Sequence, residues 1–166
     1  MTSRRTFLAT AAFGLGAAAL GGALLGARGK ALAGPTGKFP VSYSDAEWRK
    51  RLSPAQYSVL RQEGTERPFS SPLNNEHRKG VFACVGCSQK LYLSQTKFDS
   101  GTGWPSFYQP IAGAIGKSSD RSFGMARTEV HCANCGGHLG HVFDDGPKPT
   151  GLRYCMNGVA MKFEPA

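Results

Sequence analysis

The segment Val81-Phe82-Ala83-Cys84-Val85-Gly86-Cys87 runs a β-branched and aromatic stretch straight into a Cys-x-x-Cys knuckle, and Cys132-Ala133-Asn134-Cys135 repeats the knuckle 44 residues later. Two thiolates at this spacing reach one ion while the amides between them turn toward the sulfurs. Two knuckles complete a tetrahedral site of four thiolates with no open position, the structural form of zinc. The gap exceeds that of a compact zinc ribbon, so the knuckles are expected on two different loops or hairpins that one ion staples together. Gly86 and the Gly136-Gly137 pair are expected to supply the tight turns. For a chain rich in turns, such a clip substitutes for hydrophobic core. Two disulfides, or iron in the same tetrahedral geometry, use the same residues and stand as alternatives.

Outward from the knuckles, short runs of β-branched and aromatic residues alternate with Gly, Asn and Ser clusters. Residues 81–84, 90–93, 122–130 and 158–163 read as strands, and Asp144-Asp145-Gly146-Pro147 as a turn. Ahead of them, Ser44 with Glu47 and Ser53 with Gln56 form capping boxes, and Pro54 suits a first helical position. Helices are expected at about 45–51 and 54–63 with Gly64 as the C-terminal cap. The fold class is mainly β and antiparallel, with short N-terminal helices. The whole chain has 166 residues, 40% hydrophobic and 19% charged, which excludes a disordered protein.

The formal charge of +9 is unevenly placed. Residues 1–33 hold Arg4, Arg5, Arg28 and Lys30 and no acid, which leaves +5 on residues 34–166. Between Thr6 and Ala27 lie 22 uncharged residues, ended by the small-residue cleavage pattern Ala31-Leu32-Ala33. Five glycines weaken that run as a membrane span. Ser3-Arg4-Arg5-Thr6-Phe7-Leu8 resembles a bacterial twin-arginine export signal, an address read by a receptor. Residues 1–33 are therefore expected to be a signal peptide and 34–166 the exported, periplasmic domain, without stable membrane insertion after cleavage. An uncleaved N-terminal anchor is the alternative. That export route characteristically carries folded proteins, which favours a metal loaded before export over disulfides.

One cysteine is left over. Cys155 stands in Arg153-Tyr154-Cys155-Met156-Asn157. A strand there would put Arg153 and Asn157 on the thiol's face, and cationic, donor-rich surroundings lower a thiol pKa toward the nucleophilic thiolate. The alternative is a buried small hydrophobe. His138 and His141 are suited to acid–base work near neutral pH, or to packing around the second knuckle. Trp104, in Gly101-Thr102-Gly103-Trp104-Pro105-Ser106-Phe107, either presents its indole on a rigid loop or packs into the core.

Taken together, Gly103–Phe107, the two knuckles, His138–Gly146 and Arg153–Asn157 closely resemble the B-type methionine sulfoxide reductases over roughly residues 40–164. The resemblance implies two antiparallel β-sheets in a tent-like arrangement, a structural zinc on Cys84, Cys87, Cys132 and Cys135, and a reaction centre remote from it. It implies reduction of methionine (R)-S-oxide in oxidised proteins, a repair activity, by a monomer. By position, Cys155 corresponds to the nucleophile and Trp104 to the wall of the methyl pocket. His138, His141 and Asn157 correspond to residues assisting the oxygen and the thiolate, with His141 as main acid. The chemistry agrees: a sulfoxide needs a thiolate for its sulfur, a proton for its oxygen and an apolar surface for its methyl. Attack leaves a sulfenic acid.

Many family members carry a resolving cysteine just before Gly-Trp-Pro; here that residue is Thr102. With the other cysteines assigned to metal, a thioredoxin-like protein or small thiol is expected to reduce the sulfenic acid directly. Lesser departures are His131, where Arg is common, and Gly158, where Ser is usual. A zinc-ribbon nucleic-acid binder leaves Cys155 and Trp104 unexplained and lacks a clustered basic face. A disulfide oxidoreductase using one knuckle as its redox pair is the other enzymatic reading.

Overall fold

The computed structural model describes residues 37–121 and 126–166. The expected signal peptide and its cleavage point lie outside the described residues. Helix α1 spans Asp45–Arg51 and α2 spans Pro54–Gln62. Both capping boxes form: Ser44 Oγ accepts from the Glu47 amide at 3.3 Å and Ser53 Oγ from the Gln56 amide at 3.3 Å, each returned from the N3 side chain at 2.9 Å. The end of α2 differs from expectation. The left-handed residue is Glu63, with φ 56°, not Gly64. Glycine is needed at 64 for another reason, since a Cβ there would lie 2.8 Å from Ser58 Oγ and 2.9 Å from its carbonyl oxygen.

Among the described residues, nine strands make two antiparallel sheets. The smaller orders β2 (Lys90–Leu93), β1 (Gly80–Cys84) and β9 (Met161–Pro165). The larger orders β3 (Lys97–Phe98), β4 (Ser106–Phe107), β8 (Arg153–Met156), β7 (His138–Phe143), β6 (Arg127–Cys132) and β5 (Ile115–Asp120). Aromatic rings join the two: Phe82 of β1 meets Phe107 of β4 edge-on at 5.0 Å, and Tyr92 of β2 stacks on Phe107 at 4.3 Å. All three side chains are fully buried. Such pairs contribute roughly 0.5–1.5 kcal/mol each beyond their area burial. Trp48, Tyr57, Val59 and Leu60 of the helices add to the same core. Among the described residues, no helix is long and apolar enough to cross a membrane.

Two strand expectations and one turn need correction. The run expected from 122 crosses residues outside the description, and its strand begins at Arg127 and continues to Cys132. The run at 158–163 opens as a 3-10 turn over Gly158–Ala160 before β9 starts at Met161. The reversal near Asp144 is longer than four residues, being closed by Gly146 N–H to Gly151 O and Gly151 N–H to Pro147 O, both 2.9 Å. Strands β3, β4, β5 and β7 had no counterpart in the reading of the sequence.

Candidate active site and metal centre

The first knuckle joins β1 to β2 in the smaller sheet, and the second joins β6 to β7 in the larger one. The four cysteines thus meet where the two sheets approach, so one ion held by all four would clip one sheet to the other. All four are free thiols, and their ligand atoms lie within 4.8 Å of one another. Cys84 Sγ is 3.8 Å from Cys135 Sγ, and Cys87 Sγ is 3.5 Å from Cys132 Sγ. A disulfide requires ~2.05 Å, whereas a tetrahedron with ~2.3 Å arms has edges of ~3.8 Å. The donor set fits a tetrahedral cation. Hydrogen bonding among the sulfurs, first with Cys132, pushes the Cys84 thiol up and draws the Cys87 thiol down, because crowded thiols cannot all ionise without a compensating positive charge. The turn chemistry is partly unexpected. Gly136 does adopt φ 67°, but in the first knuckle the left-handed residue is Ser88, at φ 59°, and not Gly86.

Cys155 sits on β8, opposite His141 of β7 on one side and Ser106 of β4 on the other. His141 is in turn opposite Glu129 of β6. Directly opposed residues share a sheet face, so Glu129, His141, Cys155 and Ser106 form one row across four strands. From Cys132, this row is three residues up β6, roughly 10 Å, and Cys155 lies two strands across, roughly 10 Å more. The thiol is therefore remote from the four-cysteine cluster.

Around Cys155 the fold leaves a cavity of about 140 Å³, walled by Thr65, Trp104, His141, Phe143, Asn157 and Arg127. His138 is not on this wall. It is 2% exposed and stands behind His141, with ring centroids 5.4 Å apart. Residues three apart on a regular strand face opposite ways; the register shift between Val130 and His131 brings both imidazoles to one side. Gly140 between them is required by close approach, since a Cβ there would be 2.1 Å from the Cys155 carbonyl oxygen.

Each imidazole has a carboxylate partner that sequence reasoning missed. His138 Nδ1 is 2.8 Å from Glu129 Oε1, and Glu129 also accepts from Ser118. His141 Nε2 is 2.8 Å from Asp120 Oδ2, which also takes Arg127 at 2.7 Å. An ionised carboxylate only accepts, so Nε2 of His141 carries the proton and a neutral ring keeps Nδ1 as an acceptor. Burial lowers the His141 pKa and Asp120 raises it, the burial contribution being larger. The partners lie 9 and 21 positions from their histidines, on strands whose pairing no local pattern announces.

Trp104 lines the thiol cavity. Gly103 takes φ 91° and its carbonyl is gripped by Phe69 N–H at 2.7 Å and Asn74 Nδ2 at 3.0 Å. The indole Nε1–H donates to the Glu66 carbonyl at 3.1 Å. Asn157 lines the cavity, yet its side chain is already engaged: Nδ2 donates to Leu139 O at 3.1 Å, and Oδ1 accepts from Glu66 N–H at 3.0 Å.

The electrostatics of the thiol overturn one expectation. Arg153 does favour the thiolate, but its guanidinium is committed bidentately to Asp145 at 2.9 Å and lies 4.4 Å over Phe143. Burial dominates and pushes the Cys155 pKa up; Thr102, Arg153 and Ser106 recover only part of that. Hydroxyls supply the opposite side: Thr102 Oγ1 is 3.9 Å from Sγ, and Ser100 Oγ bridges Thr102 at 2.8 Å and Ser106 at 2.7 Å. Alkylation of Cys155 by iodoacetamide is therefore expected to be slow at neutral pH and to rise only above the ordinary thiol range. A rate profile with its inflexion below that range would contradict the burial argument.

Fold and site together define a class: a two-sheet β scaffold clipped by four cysteines, carrying a separate thiol beside an imidazole–carboxylate pair and an indole wall. The SelR domain model matches residues 52–165. A peptide methionine sulfoxide reductase MsrB of Agrobacterium fabrum is 58% identical over 126 residues, spanning 75% of this chain and 93% of that protein. Proteins of the same name from Leptospira interrogans (53% over 127 residues; 76% and 97%) and Bradyrhizobium diazoefficiens (57% over 126; 75% and 91%) are similar. The chain belongs to the SelR-domain family, that of the MsrB-type methionine sulfoxide reductases.

Proposed function

We propose that this enzyme reduces methionine (R)-S-oxide residues of oxidised proteins to methionine through a sulfenic acid on Cys155. The observation that carries the reading is the single cavity in which the Cys155 thiol, the His141 imidazole and the Trp104 indole meet. The S-methyl packs on the indole, and the sulfoxide oxygen lies toward His141. Cys155 Sγ attacks the sulfoxide sulfur, and the thiol proton passes by way of His141 to the oxygen. In the resulting adduct the oxygen moves from the substrate sulfur to Sγ as the newly formed Sγ–S bond breaks, which leaves Cys155–SOH and releases methionine. The thiol is oxidised as the sulfoxide is reduced. Asp120 keeps the His141 ring oriented for this transfer, and His138 with Glu129 supports the ring from behind. Two external thiols then restore Cys155: the first displaces water to form a mixed disulfide, and the second releases the enzyme and an external disulfide.

Zinc is the ion that best suits four thiolates in a closed tetrahedral set; it holds the sheets together and takes no part in the redox step. Residues 1–33 are read as a twin-arginine signal that delivers domain 34–166 to the periplasm, where a thioredoxin-like protein or small thiol is the reductant and oxidised proteins are the clients. The domain is proposed to act as a monomer without nucleic acid.

Assay of the purified enzyme on a peptide carrying the separate sulfoxide epimers tests the reading. Consumption of the R epimer with the S epimer untouched is expected; activity on S alone would sink it. The absent resolving thiol has its own test. Thr102→Cys is expected to form a disulfide with Cys155 after one turnover, since Thr102 Oγ1 lies 3.9 Å from Sγ. Mass spectrometry of oxidised wild-type enzyme should find none. A wild-type intramolecular disulfide to Cys155 contradicts direct external reduction; its absence in the variant contradicts the reach of position 102 to the thiol.

A further inference from the structure

We propose that Glu66 is the positioning residue of the site: its carboxylate latches the 65–67 segment onto the turn at Gly158–Ala160, and its main chain thereby fixes Trp104 and Asn157. For its substrate this inference rests on the reductase reading above.

Four groups of Glu66 act at once. One carboxylate oxygen accepts from Gly158 N–H, and the other from Val159 N–H at 3.0 Å. Its amide donates to Asn157 Oδ1 at 3.0 Å, and its carbonyl accepts the Trp104 indole N–H at 3.1 Å. Trp104 and Asn157 both wall the thiol cavity, as does the adjoining Thr65. One residue thus ties together two walls that come from loops 53 positions apart. Hydrogen bonds to a carboxylate are about twice as strong as neutral ones, so the side chain anchors what the main chain merely transmits.

The segment also borders a second, open groove of about 610 Å³, lined by Thr65, Glu66, Arg67, Gly158 and Val159. Beside that open space, the four polar bonds of Glu66 tie the segment to the turn. The turn that receives the carboxylate is itself cramped: a Cβ on Gly158 would lie 1.9 Å from Ser71 Oγ and 3.3 Å from Glu66 Oε1. Glu66 is not among the residues that line the thiol cavity, so its effect on the reaction passes through the indole and the amide.

The test compares Glu66→Ala and Glu66→Gln with wild type, each labelled with 5-fluorotryptophan. The chain has two tryptophans: Trp104 reports the site, and buried Trp48 beside the first knuckle reports the fold. Trp104→Phe assigns the lines. Glu66→Ala is expected to raise KM for an R-sulfoxide peptide by about tenfold or more, with a smaller fall in kcat, because misplacement of about 1 Å is worth up to ~100-fold. Its Trp104 ¹⁹F line should shift or broaden while the Trp48 line stays. Glu66→Gln, which keeps one accepting oxygen, should fall between the two. An unchanged KM with an unmoved Trp104 line in folded Glu66→Ala would overturn the proposal. If that variant does not fold, wild-type KM and an unmoved line in Glu66→Gln would overturn it as well. The spectra need no turnover, so an inactive wild type would defeat the reductase reading without deciding the latch.

Discussion

Replacing Cys155 by serine is expected to reduce turnover on the R epimer to background while leaving fold and metal content unchanged. The residue is half-buried on β8, flanked by Ser106 and facing the Thr102 hydroxyl, so a hydroxyl of similar size fits among hydrogen-bonding neighbours. What it lacks is chemistry. An alkoxide is not accessible near neutral pH, and oxygen cannot accept the sulfoxide oxygen as sulfur does on the oxidation ladder. A loss of at least ~10³-fold, about 4 kcal/mol of transition-state stabilisation, is expected. Chromatographic separation of reduced and oxidised peptide measures it, and circular dichroism with metal analysis verifies that the variant is intact. Retained activity in Cys155→Ser would remove the nucleophile from the mechanism and shift attention to a knuckle.

Loss of the metal is expected to unfold the domain. Structural zinc contributes roughly 10–16 kcal/mol in small metal-folded domains, against a total stability of about 5–15 kcal/mol for a typical domain. Here the four cysteines lie at the ends of β1 and β6, which belong to different sheets, so an ion held there would close the structure rather than decorate a loop. Cys84 is fully buried, and removing its sulfur leaves three crowded thiols without their compensating arrangement. Cys84→Ser, or treatment of wild type with a strong chelator, should release about one equivalent of zinc together with the near-ultraviolet dichroism of the aromatic core. The disulfide oxidoreductase reading requires the reverse, namely loss of turnover with no metal released and the fold retained. A paired-disulfide reading requires that no metal be found in the wild type at all.

How much of this was legible in the chain depends on how far each interaction reaches. The helices were readable because a capping box is complete within four residues: Ser44 and Glu47, or Ser53 and Gln56, satisfy each other without the rest of the molecule. The four-cysteine cluster was readable because two short knuckles state its members outright, and Cys155 because it was the cysteine remaining. Strand β7 was not, since Gly140 and two histidines interrupt any apolar alternation and a register shift carries the side chains to one face. The left-handed residues at Glu63 and Ser88 also went unforeseen, because glycines stood nearby.

The amino-acid sequence by itself determined which residues could bind metal, which thiol was left to react, and that no second thiol stood at position 102. Only the tertiary structure decided how that thiol behaves. Arg153 beside Cys155 suggests a lowered pKa, yet burial in the cavity outweighs it, since desolvation depends on everything packed around an atom and not on its neighbours in the chain. In the same way, Asp120, Glu129 and Glu66 carry no local signal. They reach the site through contacts spanning 21, 9 and 91 positions, and strand order and loop closure alone bring such residues together.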